Sequence, residues 1–139
     1  MATELTNPQT DRTPLSAERP YFEVSKAVGF EAAHRLLVPG KEATYGRIHG
    51  HSFRLEATLG GSLEEGQDWI EDLAVLTQAL ERIAGELDHG LLNDVKGLER
   101  PTLENIALWV AERLQRQNLR LIRVTLERPS LNERCVLKL

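Results

Sequence analysis

The chain holds only four histidines, His34, His49, His51 and His89, few enough for their spacing to carry information. His49 and His51 stand two apart in IHGHSF, at the entry to a segment in which Phe53, Leu55, Ala57 and Leu59 alternate with polar residues. Period-two alternation marks a half-buried strand and turns both imidazoles to one side. His34 follows a stretch of aromatic and small apolar residues, Tyr21 to Ala33, that reads as an earlier strand. Hairpin-like pairing of the two strands brings His34 close to the other two. Three neutral imidazoles with one open position suit a catalytic divalent metal, zinc before others. The absence of CxxC pairs argues against a sulfur-rich structural zinc site. The competing reading is three unconnected surface or core histidines, and only convergence of the rings separates the two.

Two readings also stand for Asp88 and His89. A carboxylate that orients an imidazole raises its basicity and makes a general base. LDHGLLND is equally a helix C-terminus, with the histidine favouring the dipole and Gly90 supplying the cap. Glu104 reads as a favourable first-turn carboxylate. Glu127 ends an apolar strand, where it either faces solvent or accepts two parallel N–H donors from a ring.

The elements that position these groups follow from periodicity. Tyr21–Ala33 is a strand with a bulge expected near Gly29, and residues 36–48, with Pro39, Gly40 and Gly46, form a loop. His51–Leu59 is the second strand. Leu73, Leu76, Leu80, Ile83 and Leu87 recur at three- and four-residue steps, predicting a helix over 72–88 capped by Asp72. Leu103–Arg116 is a second helix with Thr102 as its cap. Leu119–Glu127 and Cys135–Leu139 are strands. The order strand, strand, helix, helix, strand, strand describes an α+β domain with its helices on one face of an antiparallel sheet. Residues 1–20, polar and carrying Pro8, Pro14 and Pro20, read as a flexible lead-in to a single domain over 21–139.

The formal net charge of -4 gives no electrostatic reason for a nucleic-acid partner. No apolar run reaches membrane-spanning length and no signal pattern opens the chain, so a cytoplasmic location is expected. The one cysteine, Cys135, rules out an intrachain disulfide framework.

Five motifs in order carry a family resemblance: FEAAHRL around His34, IHGHSF around His49 and His51, LDHGLLN around Asp88, PTLEN around Glu104, and TLE at Glu127. Over residues 22–139 the chain resembles the 6-pyruvoyl-tetrahydropterin synthase and 6-carboxy-tetrahydropterin synthase family. The resemblance implies the tunnelling fold, in which three subunits close a twelve-stranded barrel and two trimers commonly stack into a hexamer, with pterin sites at the interfaces. It implies that His34, His49 and His51 ligate zinc, that Asp88 and His89 form a catalytic pair, and that Glu127 anchors the pterin's pyrimidine edge. Thr102 and Glu104 lie near that pocket by the same implication. The activity implied is a zinc lyase acting on 7,8-dihydroneopterin triphosphate, with 6-carboxy-tetrahydropterin as product, on the path to deazapurines such as queuosine.

Two positions depart from the pattern, and the milder is Leu73 at the end of GQDWIEDL, where phenylalanine is usual. The family usually has a catalytic cysteine four residues before the first histidine of HGH, and this chain has Tyr45 there. A tyrosine ionises near pH 10 against about 8.5 for cysteine, so an unperturbed phenol is a poor base at neutrality. Tyr45 is expected to border the substrate side chain as a proton donor or pocket wall. It also admits two alternatives: a divergent pterin enzyme with another substrate or product, and a non-catalytic pterin-binding homologue.

Overall fold

The fold is seen in a computed structural model that describes residues 19–139; the expected lead-in over 1–20 lies almost wholly outside the described residues. The domain is built on two long antiparallel strands, β1 (Tyr21–His34) and β2 (His49–Ser62), paired without interruption from Tyr21↔Ser62 to His34↔His49. The bulge expected at Gly29 is absent: Gly29 pairs in register with Arg54. The irregularity lies instead between Thr58 and Leu59, where β2 meets β3 (Leu121–Arg128). β4 (Glu133–Lys138) completes a four-stranded antiparallel sheet in the order β1-β2-β3-β4.

Strand alternation divides the sheet into two chemically different faces. Phe30, Phe53, Leu55, Ala57, Leu59, Val124 and Leu126 point to one side and are buried there. The Phe30 and Phe53 rings stack across β1 and β2 at 4.8 Å. Helices α1 (Leu73–Leu87) and α2 (Leu103–Gln115) cover this face with Leu76, Leu80, Ile83 and Leu87 and with Ile106, Val110 and Leu114. Asp72 caps α1 by accepting from the Ala74 amide at 2.9 Å. Leu73, expected on the apolar stripe, lies at the helix start and is exposed. Among the described residues no helix covers the other face, which carries ion pairs such as Arg123 with Glu23 and Arg54 with Glu127.

The segment between the helices is anchored by α2. A 3₁₀ turn at Leu92–Asp94 leads into residues 95–101, which α2 holds through Trp109: its Nε1–H donates to the Lys96 carbonyl at 3.1 Å. Gly97 sits at φ +91°, and a Cβ there would meet the Trp109 ring at 3.2 Å. Backbone freedom and close packing both require glycine at this point. Among the described residues no helix is long and apolar enough to cross a membrane.

Leu55 is fully buried between sheet and helices whereas Leu131 is half exposed. Leu55→Ala is expected to destabilise by about 2–5 kcal/mol, and Leu131→Ala by less than about 0.5 kcal/mol. Denaturant unfolding checks this; equal midpoints for the two variants would contradict the assignment of the core face.

Candidate metal centre and the groups around it

The β1–β2 register sets the three imidazoles. His34 pairs with His49 and Ala32 with His51, at the end of the sheet beyond the reach of α1. All three rings continue the row of Phe53 and Leu55, and the His51 and Phe53 ring centroids are 5.8 Å apart. One ligand atom from each histidine lies within 4.8 Å of the other two. His34 Nε2 and His51 Nε2 are 3.1 Å apart. Ligand atoms around a tetrahedral zinc with bonds of 2.0–2.1 Å stand about 3.3 Å apart, so the spacing fits such an ion.

The outer nitrogens fix the tautomers. His34 Nδ1–H donates to the Pro101 carbonyl at 2.9 Å and His49 Nδ1–H to the Arg47 carbonyl at 2.7 Å. A carbonyl only accepts, so each Nδ1 carries the proton and each Nε2 lone pair points inward. Burial pushes His34 down from its ordinary pKa, with His49 and Arg128 adding to the effect and the Pro101 carbonyl opposing it. His51 is pushed down to about 4, chiefly by burial and then by His34, Arg128 and His49. Groups held neutral are the ones that bind a divalent cation. These three histidines could hold a metal ion.

Asp88 and His89 stand at the α1 terminus beside β1. Asp88 Oδ1 accepts from the Glu31 amide at 2.9 Å, and His89 Nδ1–H donates to Asp88 Oδ2 at 2.8 Å. The left-handed residue at this terminus is His89, at φ 56°, and not Gly90 as a glycine cap would require. That backbone conformation costs a non-glycine residue roughly 1–2 kcal/mol. It is held by the His89 amide donating to the Glu31 carbonyl and by the Gly90 carbonyl accepting from Ala33. The His89 ring stands out from the surface, and among the described residues its Nε2 has no hydrogen-bond partner. An open cleft of about 520 Å³ contains both His51 and His89, together with Glu31, Ser52 and Ser130.

The remaining sequence-selected residues are dispersed. Thr102 caps α2 through Asn105 and borders an apolar cavity with Arg35 and Arg100. Glu104 is exposed and lines a slot beside Cys135. Tyr45 is half exposed on the 35–48 loop, its carbonyl accepting from the Leu36 amide at 2.7 Å and its ring 6.0 Å from Lys41 Nζ. Glu127 pairs across the sheet with Arg54, on the face opposite the imidazoles. Sequence reasoning missed Pro101 and Arg47, which act through backbone carbonyls and leave no side-chain signal. It also missed Arg54 and Arg128, ordinary strand arginines by pattern.

Comparison with known proteins identifies the family. The family model described as 6-pyruvoyl tetrahydropterin synthase matches residues 23–138. A dihydroneopterin monophosphate aldolase of Pyrococcus furiosus is 38% identical over 90 residues, covering 65% of this chain and 71% of its own length. A 6-carboxy-5,6,7,8-tetrahydropterin synthase of Synechocystis sp. is 38% identical over 99 residues, covering 66% of this chain and 74% of its own. The structure of Caenorhabditis elegans 6-pyruvoyl tetrahydropterin synthase superposes with a TM-score of 0.73 at 26% identity, over 86% of this chain and 96% of that one.

The Asp88–His89 contact makes a pH prediction. The hydrogen bond to Asp88, and then its charge, raise His89 above its ordinary 6.5, while the Glu31 amide and then His89 hold Asp88 below its usual range. The His89 contribution to stability is full below the ordinary histidine value and is lost as pH rises through the raised one. The Asp88 contribution is full above the ordinary carboxylate value and is lost as pH falls through the depressed one. NMR titration should find His89 above 6.5 in the parent and back near 6.5 in Asp88→Asn. An unchanged value in the variant would break the pair.

Proposed function

Because the chain belongs to the 6-pyruvoyl tetrahydropterin synthase family, we propose that it is a zinc-dependent lyase that breaks the side chain of a phosphorylated 7,8-dihydroneopterin. The substrate of first choice is 7,8-dihydroneopterin triphosphate, and the product 6-carboxy-tetrahydropterin. The observation that carries this reading is the convergence of His34, His49 and His51 with two of their outer nitrogens fixed by carbonyls. An all-nitrogen set of three suits a catalytic zinc, which when bound would polarise side-chain oxygens of the substrate.

The chain's own residues supply the rest. His89, oriented by Asp88, has an exposed Nε2 that can take a proton from a side-chain hydroxyl and return it to carbon as the bond breaks. Glu127 accepts the pterin's ring N–H donors. Thr102 and Glu104, at the start of α2, border separate cavities of one subunit, and the resemblance puts both near the pterin pocket of the assembly. Glu127 and the imidazoles occupy opposite faces of one sheet, which favours a substrate site completed between copies of the chain. Such pairing could use the outer edge of β4 and the part of β1 before Glu31, since residues 88–91 already bond the β1 edge at Glu31 and Ala33. This supports a homo-oligomeric barrel, with a hexamer of two trimers as the expected assembly.

Tyr45 favours a second reading. Cysteine-based proton abstraction is absent at that position, and a phenol suits proton donation better than removal. Simple aldol cleavage of 7,8-dihydroneopterin monophosphate, the activity named for the Pyrococcus furiosus relative, places less demand on a strong base.

Zinc-loaded protein should be incubated separately with 7,8-dihydroneopterin triphosphate and monophosphate, and the products identified by mass spectrometry. Release of triphosphate with formation of 6-carboxy-tetrahydropterin is the expected result. Cleavage of the monophosphate alone would favour the aldolase reading, and turnover of neither would overturn the enzymatic proposal. Tyr45→Phe is expected to lower turnover with zinc and pterin binding intact. Tyr45→Cys gaining triphosphate elimination would mark divergence at this position.

A further inference from the structure

Arg54 and Glu127 face each other across β2 and β3, and Arg54 Nη1 donates to Glu127 Oε2 at 2.9 Å. Arg54 Nη2 donates to Glu56 Oε2 at 3.1 Å, and Arg134 Nε stands 3.7 Å from Glu127 Oε1. Arg54 is 44% exposed and Glu127 26% exposed. Exposed pairs of this kind add little to stability. What they do fix is direction: Glu56 holds one side of the guanidinium, so its plane and its contact with Glu127 are set together.

Both partners keep binding capacity. A guanidinium has five N–H donors and an ionised carboxylate about four lone-pair positions, so neither is saturated. The pair presents an acceptor and a donor side by side, partly exposed on the sheet face opposite the two helices.

That order matters for a 2-amino-4-oxo ring. Its pyrimidine edge offers N–H, N–H and then C=O. A carboxylate accepts the two N–H groups and takes no account of the next atom. Glu127 alone would therefore hold many amino-substituted rings, whereas a fixed donor beside it tests for the carbonyl oxygen. A site built to bond a polar atom rejects analogues that lack it far better than an apolar wall does.

We propose that Arg54 determines specificity at the pterin edge, donating an N–H to the ring C4 carbonyl while Glu127 accepts the neighbouring N–H donors. The inference rests on the reading of Glu127 as the pterin anchor.

The test compares pterin with its 4-thio analogue, which keeps both N–H donors and replaces the carbonyl oxygen with a poorer acceptor. Calorimetric titration of the zinc-loaded protein is expected to show pterin binding about tenfold more tightly than the thio compound, the scale of one charge-assisted hydrogen bond. Arg54→Met should weaken pterin about tenfold and bind both ligands within about threefold of each other. Arg54→Lys should recover part of the preference, which a merely structural role would not do. Glu127→Ala should weaken both ligands alike. Zinc content equal to the parent's verifies that each variant is folded. Retention of the parent's preference in Arg54→Met, with binding still dependent on Glu127, would overturn the inference and leave the anchor standing. No pterin binding by the parent, or binding indifferent to Glu127→Ala, would overturn the anchor and the inference with it.

Discussion

The pairing of His34 with His49 at the end of the β1–β2 ladder is the contact on which the site depends. Side chains alternate along a strand, so a slip of one residue between β1 and β2 would carry His34 or the HGH pair to the wrong face. Fourteen consecutive pairs and the buried Phe30–Phe53 stack make that slip costly, because it would also expose the apolar row. The same core that stabilises the domain thereby aims the imidazoles. His34, buried at the end of this row, is the point at which core packing passes into the cluster of three imidazoles that could hold a metal ion.

A second layer comes from parts of the chain distant in sequence. Trp109 on α2 holds residues 95–101 through the Lys96 carbonyl, and Pro101 then presents its own carbonyl to His34. Helix packing thus sets the tautomer of a histidine on β1. Asp88 does similar work on the other side: one oxygen is bound to the β1 backbone, leaving the second to orient His89. The cost of the left-handed backbone at His89 is offset by these contacts, and His89 and His51 are both among the residues lining one open cleft.

Much of this was legible in the sequence, and the reasons are specific. The HGH spacing and the alternation behind it put two imidazoles on one side, and helix periodicity located α1 and α2 within a residue or so. The convergence of His34 was a pairing question that spacing alone left open. Glycine misled twice: Gly29 sits in regular register with Arg54, and Gly90 is not the left-handed residue. Both errors come from treating glycine as a marker of irregularity where cross-strand pairing or a neighbouring hydrogen bond decides. The carbonyls of Arg47 and Pro101 were invisible because any residue supplies one. The role proposed for Arg54 depends on a cross-strand partner 73 positions away, which no local pattern reveals.

The central claim is that His34, His49 and His51 form one metal centre. X-ray absorption on zinc-loaded protein, combined with metal analysis of the parent and of His49→Ala, tests it most directly. The predicted result is one zinc per chain with three nitrogen ligands at about 2.0–2.1 Å, and loss of tight binding in a variant that keeps its fold. Zinc retained by His49→Ala at full stoichiometry and native affinity would contradict the account.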